Sequence, residues 1–202
     1  KKQFVQIIMD YKKLTKEIKT EIKKTLKKSR YEHSIRVAKM CKKICKRFNL
    51  DAEIGYFLGV AHDMCKYYSK EDLTNIVQNH GIEIIQIEKE RPTLLHGPVA
   101  AILLKEKYGV EDDFVLEAIY NHTSGKVGMC DYSKALFIAD KIEVGRPQST
   151  KRYRKALFKL SLDKMTYAVV KENYDFLTNK GWEIYPQTMA IMESLKQTKG
   201  GK

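Results

Sequence analysis

Long apolar runs are missing from this 202-residue sequence. No stretch approaches the roughly 20 apolar residues that span a bilayer, so no membrane partner is expected. The N-terminus, Lys1-Lys2-Gln3-Phe4, has no apolar run followed by a small-residue cleavage site, so no secretory signal is expected. Cysteine is scarce. Cys41, Cys45, Cys65 and Cys130 are too few and too scattered for a disulfide framework. Reduced thiols in a cytoplasmic protein are the expectation. No thiolate cluster suggests a structural zinc site. No run alternates convincingly as a strand. An internal repeat is also lacking, as is a linker long enough to separate two independent domains.

What is present is a helical period. Leu14, Ile18, Ile22 and Leu26 step by four, which predicts an amphipathic helix over about 13–28. Val37, Met40, Cys41, Ile44, Cys45 and Phe48 fall on one face of a second helix, about 30–48. There the cysteines read as core rather than as a metal pair. Asp51 is a candidate N-cap for a helix ending near Met64, and Ser69 with Asp72 resembles a capping box. Gly81 reads as a stop, and Pro98 as a first-turn residue of a helix ending before Gly109. Asp112 is a candidate cap for a helix ending near Asn121-His122. Further helices are expected over 132–143, near 151–160, and over 163–179 and 186–197. The fold class is therefore all-α, as one helical bundle. Residues 1–28 read as an N-terminal helical extension packed on a domain of 29–202.

Hydrophobic residues make up 43% and charged residues 31%, enough apolar material for a sizeable core. The net charge is +13, from 38 Lys and Arg against 25 Asp and Glu, which suits a polyanionic partner. Much of the excess, from Lys12 to Lys28, has the pattern of a solvated helix face.

The chemistry lies in the company kept by four of the five histidines. His62-Asp63 ends a nearly wholly apolar segment, Ile54–Ala61, so an ionisable pair sits against the core. A buried carboxylate is costly unless it is paired or bound to a cation. Asp140 repeats the pattern after Ala135-Leu136-Phe137-Ile138-Ala139. With His33, His96 and His122 the donors are imidazole and carboxylate, which suit iron, manganese, zinc or another first-row divalent ion. Four His and two Asp exceed the needs of one open ion and suffice for two that share a carboxylate. His80, at a helix end before Gly81, looks different.

The order His33, His62-Asp63, Asp140 resembles the HD superfamily of metal-dependent phosphohydrolases, and the added His96 and His122 resemble its two-metal members. The flanks narrow it. Arg-Tyr-Glu-His-Ser-Ile-Arg-Val, His-Asp-x-x-Lys, Leu-Leu-His-Gly-Pro-Val, His-Thr-Ser-Gly and Ile-Ala-Asp-Lys-Ile-Glu are similar to the YqeK-type symmetrical diadenosine tetraphosphate hydrolases, from about Thr20 to Leu195. The chain departs from the pattern at Val144, where a proline is expected, and at Ala100, where a glycine is. The resemblance implies an HD-domain bundle with a dinuclear centre in its core, held by His33, His62, Asp63, His96, His122 and Asp140. Asp63 bridges in this reading. His33, His62 and Asp140 serve one ion, and His96 and His122 the other. The implied metals are two iron ions, with manganese or another first-row ion as the alternative.

The resemblance also implies symmetrical cleavage of diadenosine tetraphosphate to two ADP, by attack of an activated water in line with the central bridging oxygen. Asp63 and Lys66 carry catalysis in this expectation. Lys66, Arg36, Arg146, Thr123 and Gly125 are the candidate phosphate contacts, the last two through hydroxyl and backbone N–H groups. Trp182 and the tyrosines read first as core or interface packing and second as base-stacking groups. The partner is a nucleotide rather than a nucleic acid, and a homodimer is compatible with the chain. Two rivals share parts of the reading. One is another HD enzyme, a nucleoside monophosphate phosphatase or guanosine tetraphosphate hydrolase. The other is a basic RNA- or ribosome-binding module retaining the scaffold, which predicts salt-dependent RNA affinity that survives loss of the ligands.

Overall fold

The apolar stripes read from the sequence close on one another in a bundle of helices. A computed structural model describes residues 9–197. Its helices are α1 (Tyr11–Thr25), α2 (Lys28–Arg47), α3 (Ala52–Ala61), α4 (Lys70–Asn79), α5 (Gln86–Glu90), α6 (His96–Glu106), α7 (Asp113–Asn121), α8 (Asp131–Ile142), α9 (Lys151–Leu157), α10 (Leu162–Asn179) and α11 (Thr188–Gln197). A short 3-10 turn, Pro92–Leu95, leads into α6. No strand occurs among the described residues, and none of their helices is long and apolar enough to cross a membrane.

The centre of the bundle is α3. Phe57, Leu58, Gly59, Val60 and Ala61 are all buried, as the apolar composition of that segment requires. Helices α1, α2, α7 and α8 pack around it. The contact with α2 is backbone to backbone. A Cβ on Gly59 would lie 2.3 Å from Ala38 Cα and 2.4 Å from Ala38 N, so only glycine lets the two helices approach this closely. Cys41 and Cys45 are buried in the same contact, as core side chains.

Helix α1 turns Leu14, Ile18 and Ile22 onto α3 and leaves most of its lysines in solvent. It is the described part of the expected extension over 1–28. Residues 1–8 of that extension, and 198–202 of the remainder, lie outside the described residues.

Three local expectations change. Asp112 sits at the head of α7 but makes no side-chain cap, because its carboxylate accepts the Tyr11 hydroxyl. This ties α1 to α7 and raises the Tyr11 pKa, through burial first and the Asp112 carboxylate second. Helix α3 ends at Ala61, not near Met64. Beyond it the N–H groups of Met64 and Lys66 donate to Ala61 and Asp63 carbonyls, three residues back, so the chain tightens into turns. Helix α5 and the 3-10 turn are too short for their period to show in the sequence. Ser69 and Asp51 cap α4 and α3 as expected, accepting from Asp72 N at 3.0 Å and Glu53 N at 2.7 Å.

Candidate metal centre

Six side chains from five places in the chain meet at one end of α3. His33 comes from α2, His62 and Asp63 from the end of α3, and His96 from the first residue of α6. His122 follows α7, and Asp140 lies in the last turn of α8. All six are buried.

Each imidazole has its Nδ1 taken. His62 Nδ1 lies 2.8 Å from Gly59 O, His122 Nδ1 2.7 Å from Ile119 O, and His96 Nδ1 2.6 Å from Thr93 O. His33 Nδ1 lies 3.2 Å from Glu143 Oε1. A carbonyl or carboxylate acceptor at Nδ1 requires the proton there, which leaves Nε2 as a lone pair in the neutral, metal-ligating form of the ring. All four Nε2 atoms point inward.

The Nε2 atoms divide around Asp63. His33 Nε2 and His62 Nε2 lie 3.8 and 3.4 Å from Asp63 Oδ2, and 3.1 and 3.9 Å from Asp140 Oδ1. His96 Nε2 and His122 Nε2 lie 3.0 and 3.8 Å from the other oxygen, Asp63 Oδ1. One carboxylate thus faces two clusters, one oxygen to each. The buried Nε2 atoms of His33 and His62 have no aligned hydrogen-bond partner. His96 Nε2 and His122 Nε2 face each other at 3.0 Å. Two opposed lone pairs repel, and a cation relieves them. The donor set therefore fits divalent metal, and two overlapping triads that share His62, His33-His62-Asp140 and His62-Asp63-His122, have their ligand atoms close enough together to hold a metal ion.

Charge at the site follows burial and partners. Burial opposes ionisation of Asp63, but His62, His122 and His96 hold its pKa well below the usual carboxylate range. Asp140 is held low in the same way by Lys141, His33 and Arg146. Burial, reinforced by the neighbouring His96, draws His122 down to about 3 against the pull of Asp63, so its ring is neutral and free to ligate at neutral pH. For His33 burial is outweighed by Asp140 and Glu143, and the pKa rises.

A ring of cations surrounds this core. Lys66 Nζ lies 3.4 Å from both ring nitrogens of His96. It is reached through turns that follow the end of α3. Burial lowers its pKa, against the attraction of Asp63. Arg146 is bound to Asp140, Nη2 to Oδ1 at 2.7 Å and Nε to the carbonyl at 2.8 Å. Arg36 does not face the ligands. It forks onto Glu143, Nε to Oε2 at 2.6 Å, beneath Gly145. Thr123 Oγ1 stands 3.3 Å from His122 Nε2. Gly125 is buried against Ile191, and its N–H donates to Asn121 O at 2.8 Å, so that N–H is not available to a phosphate. His80 is elsewhere, paired with Glu106 at 2.8 Å.

Residues 30–145, more than half of the chain, match the HD domain. The chain belongs to the HD-domain family. Among this HD protein's relatives is the symmetrical bis(5'-nucleosyl)-tetraphosphatase of Staphylococcus aureus, 36% identical over 79% of this chain and 83% of that protein. The Bacillus subtilis protein of the same name is 29% identical over 79% of this chain and 85% of its own length. A solved structure, described as a predicted HD superfamily hydrolase involved in NAD metabolism from Clostridium acetobutylicum, superposes with a TM-score of 0.83. It is 28% identical and covers 91% of this chain and 97% of its own. Helices α1, α9, α10 and α11 of this HD protein lie outside the matched stretch.

Three residues that the sequence reading left without a role belong to the site. Arg30 Nη1 bonds Asp63 Oδ2 at 2.9 Å, and Lys141 Nζ bonds Asp140 Oδ2 at 2.7 Å. Glu143 links His33 to Arg36 and also accepts the Gly145 N–H at 2.5 Å. Its burial is outweighed by His33, Arg36 and Gly145, and its pKa falls to about 2. All three stand inside the motifs around His33 and Asp140, where their sequence position was the available signal. Replacing Glu143 by glutamine is expected to weaken metal binding about 10- to 100-fold, the usual cost of losing an outer hydrogen-bond partner of a ligating histidine. Titration of metal into chelator-treated protein measures it, and unchanged affinity would remove Glu143 from the site.

Proposed function

We propose that this protein is a metal-dependent hydrolase of nucleotide phosphoanhydrides that cleaves diadenosine tetraphosphate symmetrically into two ADP. The observation that carries the proposal is the division of four inward Nε2 atoms around the two oxygens of Asp63, with Asp140 closing one cluster. The names of the similar proteins supply the substrate. His33, His62 and Asp140 would hold one divalent ion, His96 and His122 a second, and Asp63 both. Iron is the proposed metal, with manganese or another first-row ion able to use the same donors. Bound there, such ions supply Lewis acidity toward phosphoryl oxygens and increase the acidity of water.

The chain's own part is charge and position. Lys66, half-buried beside His96, is placed to meet an anionic phosphoryl oxygen, where a low-dielectric setting strengthens its attraction. Arg30, Lys141 and Arg146 lie at the edge with partly exposed side chains and can exchange carboxylate partners for phosphate. Arg36 is better described as a positioning residue, acting on His33 through Glu143. In the reaction a water oxygen forms a bond to a phosphorus beside the central bridge. The P–O bond to the bridging oxygen breaks, and the departing ADP keeps that electron pair. Chromatography of the products is expected to show ADP alone. AMP with ATP would mean cleavage off the central bridge and would overturn the symmetrical reading.

A further inference from the structure

Two clefts open beside the metal centre and share a wall that lies mostly outside the HD-matched stretch. One, of about 570 Å³, is lined by Asp140, Lys141, Arg146, Asn173, Phe176 and Trp182. The other, of about 230 Å³, is lined by Thr123, Lys141, Asn173 and Trp182 among others. Lys141, Asn173, Leu177 and Trp182 border both. Apart from Lys141 of α8, the wall comes from α10 and the segment after it, beyond residue 145.

That wall carries an aromatic pair unlike the core. Phe176 and Trp182 are each 52% exposed, and their rings meet edge to face with centroids 6.1 Å apart. The pair is held in place. Gly181 takes φ +66°, and the N–H groups of Gly181 and Trp182 donate to Thr178 O and Leu177 O, both at 3.0 Å. This helix-ending turn folds Trp182 back over α10. The following segment is tied down by Arg91 Nη2, which donates to Glu183 O at 3.0 Å. Beside the rings, the Asn173 side-chain amide has no hydrogen-bond partner among the described residues, although it is half-buried. A carboxamide offers one acceptor and one donor side by side. These match the N6 amino group and adjacent ring nitrogen of adenine in a bidentate pair.

We propose that this wall is a purine-nucleoside site, in which Trp182 and Phe176 give the base a stacking surface and Asn173 reads its edge. The proposal rests on the nucleotide-hydrolase reading above and adds to it where the base goes. Lys141 and Arg146 line the same cleft as the aromatic pair and bond Asp140, so the phosphates of a bound nucleotide would run along them. Base recognition then belongs to the C-terminal helices and phosphate chemistry to the HD bundle.

Trp182 is the only tryptophan in the chain, so its fluorescence reports the site directly. Titration of ADP into the full-length, metal-loaded protein is expected to quench it to saturation, while inorganic pyrophosphate is not. Trp182→Ala is expected to raise KM for diadenosine tetraphosphate about tenfold with kcat within about twofold, and Trp182→Phe to recover most of the loss. Asn173→Asp, which replaces the amide donor by an acceptor, is expected to shift preference from adenosine toward guanosine, whose edge presents two donors. ADP quenching without any cleavage of diadenosine tetraphosphate leaves the wall standing and overturns the reaction. Cleavage with no quenching, and with KM of Trp182→Ala unchanged, overturns the wall and leaves the reaction standing.

Discussion

Asp63→Ala lowers the hydrolysis of diadenosine tetraphosphate on the order of 10³-fold or more, the scale of losing a principal electrostatic element of a reaction site. The expectation follows from its position. Asp63 alone faces both histidine clusters, one oxygen to each. Without it the two sets of Nε2 atoms have no shared anion, and bound metal falls with activity. The fold is expected to persist. Asp63 follows the end of α3, its carboxylate bonds to side chains rather than to backbone, and its partner Arg30 keeps access to water. Circular dichroism should therefore register nearly unchanged helix. Asp63→Asn, which keeps the shape and removes the charge, separates the two effects. A purified Asp63→Ala protein with full activity and full metal content would remove the residue from the mechanism.

Chelation has the second-largest effect. Stripping divalent metal is expected to reduce activity to less than about 1% and to lower Tm by about 10 °C. The thermal figure follows from linkage. A ligand at about 1,000 times its Kd stabilises the native state by about 4 kcal/mol. For a chain of this size each kcal/mol moves Tm by about 2–4 °C. The stripped protein should still fold, because Arg30, Lys141 and Arg146 already neutralise Asp63 and Asp140. Iron(II), manganese(II) and zinc(II) returned singly should restore activity to different extents, and their order identifies the metal. Undiminished turnover with no measurable metal would defeat the metal-dependent reading.

Much of the bundle was legible because a helix announces itself within a few residues. The four-residue step of Leu14, Ile18 and Ile22 and the caps at Asp51 and Ser69 are local facts, and the structure keeps them. The ligand types were legible because a charged residue at the end of an apolar run needs a reason. What was not legible depends on distance along the chain. Glu143 meets His33 across 110 positions, and nothing near either residue encodes that meeting. Arg36 reads as a phosphate contact until Glu143 is seen to hold it. The turn after Ala61 breaks the helical period just where His62 and Asp63 must face inward, so Lys66 reaches His96 by a route that helix spacing does not describe. Trp182 read first as core or interface packing, and its exposure depends on how Gly181 turns the chain at the end of α10.

The contact between Gly59 and Ala38 sets a tolerance for the whole centre. His33 lies five residues before Ala38 on α2, and His62 three residues after Gly59, so two of the ligands hang from a joint with no slack. Any side chain at position 59 acts as a wedge at that fulcrum. A small opening there becomes a larger swing at the imidazoles, and the spacing between them shifts before the bundle itself gives way.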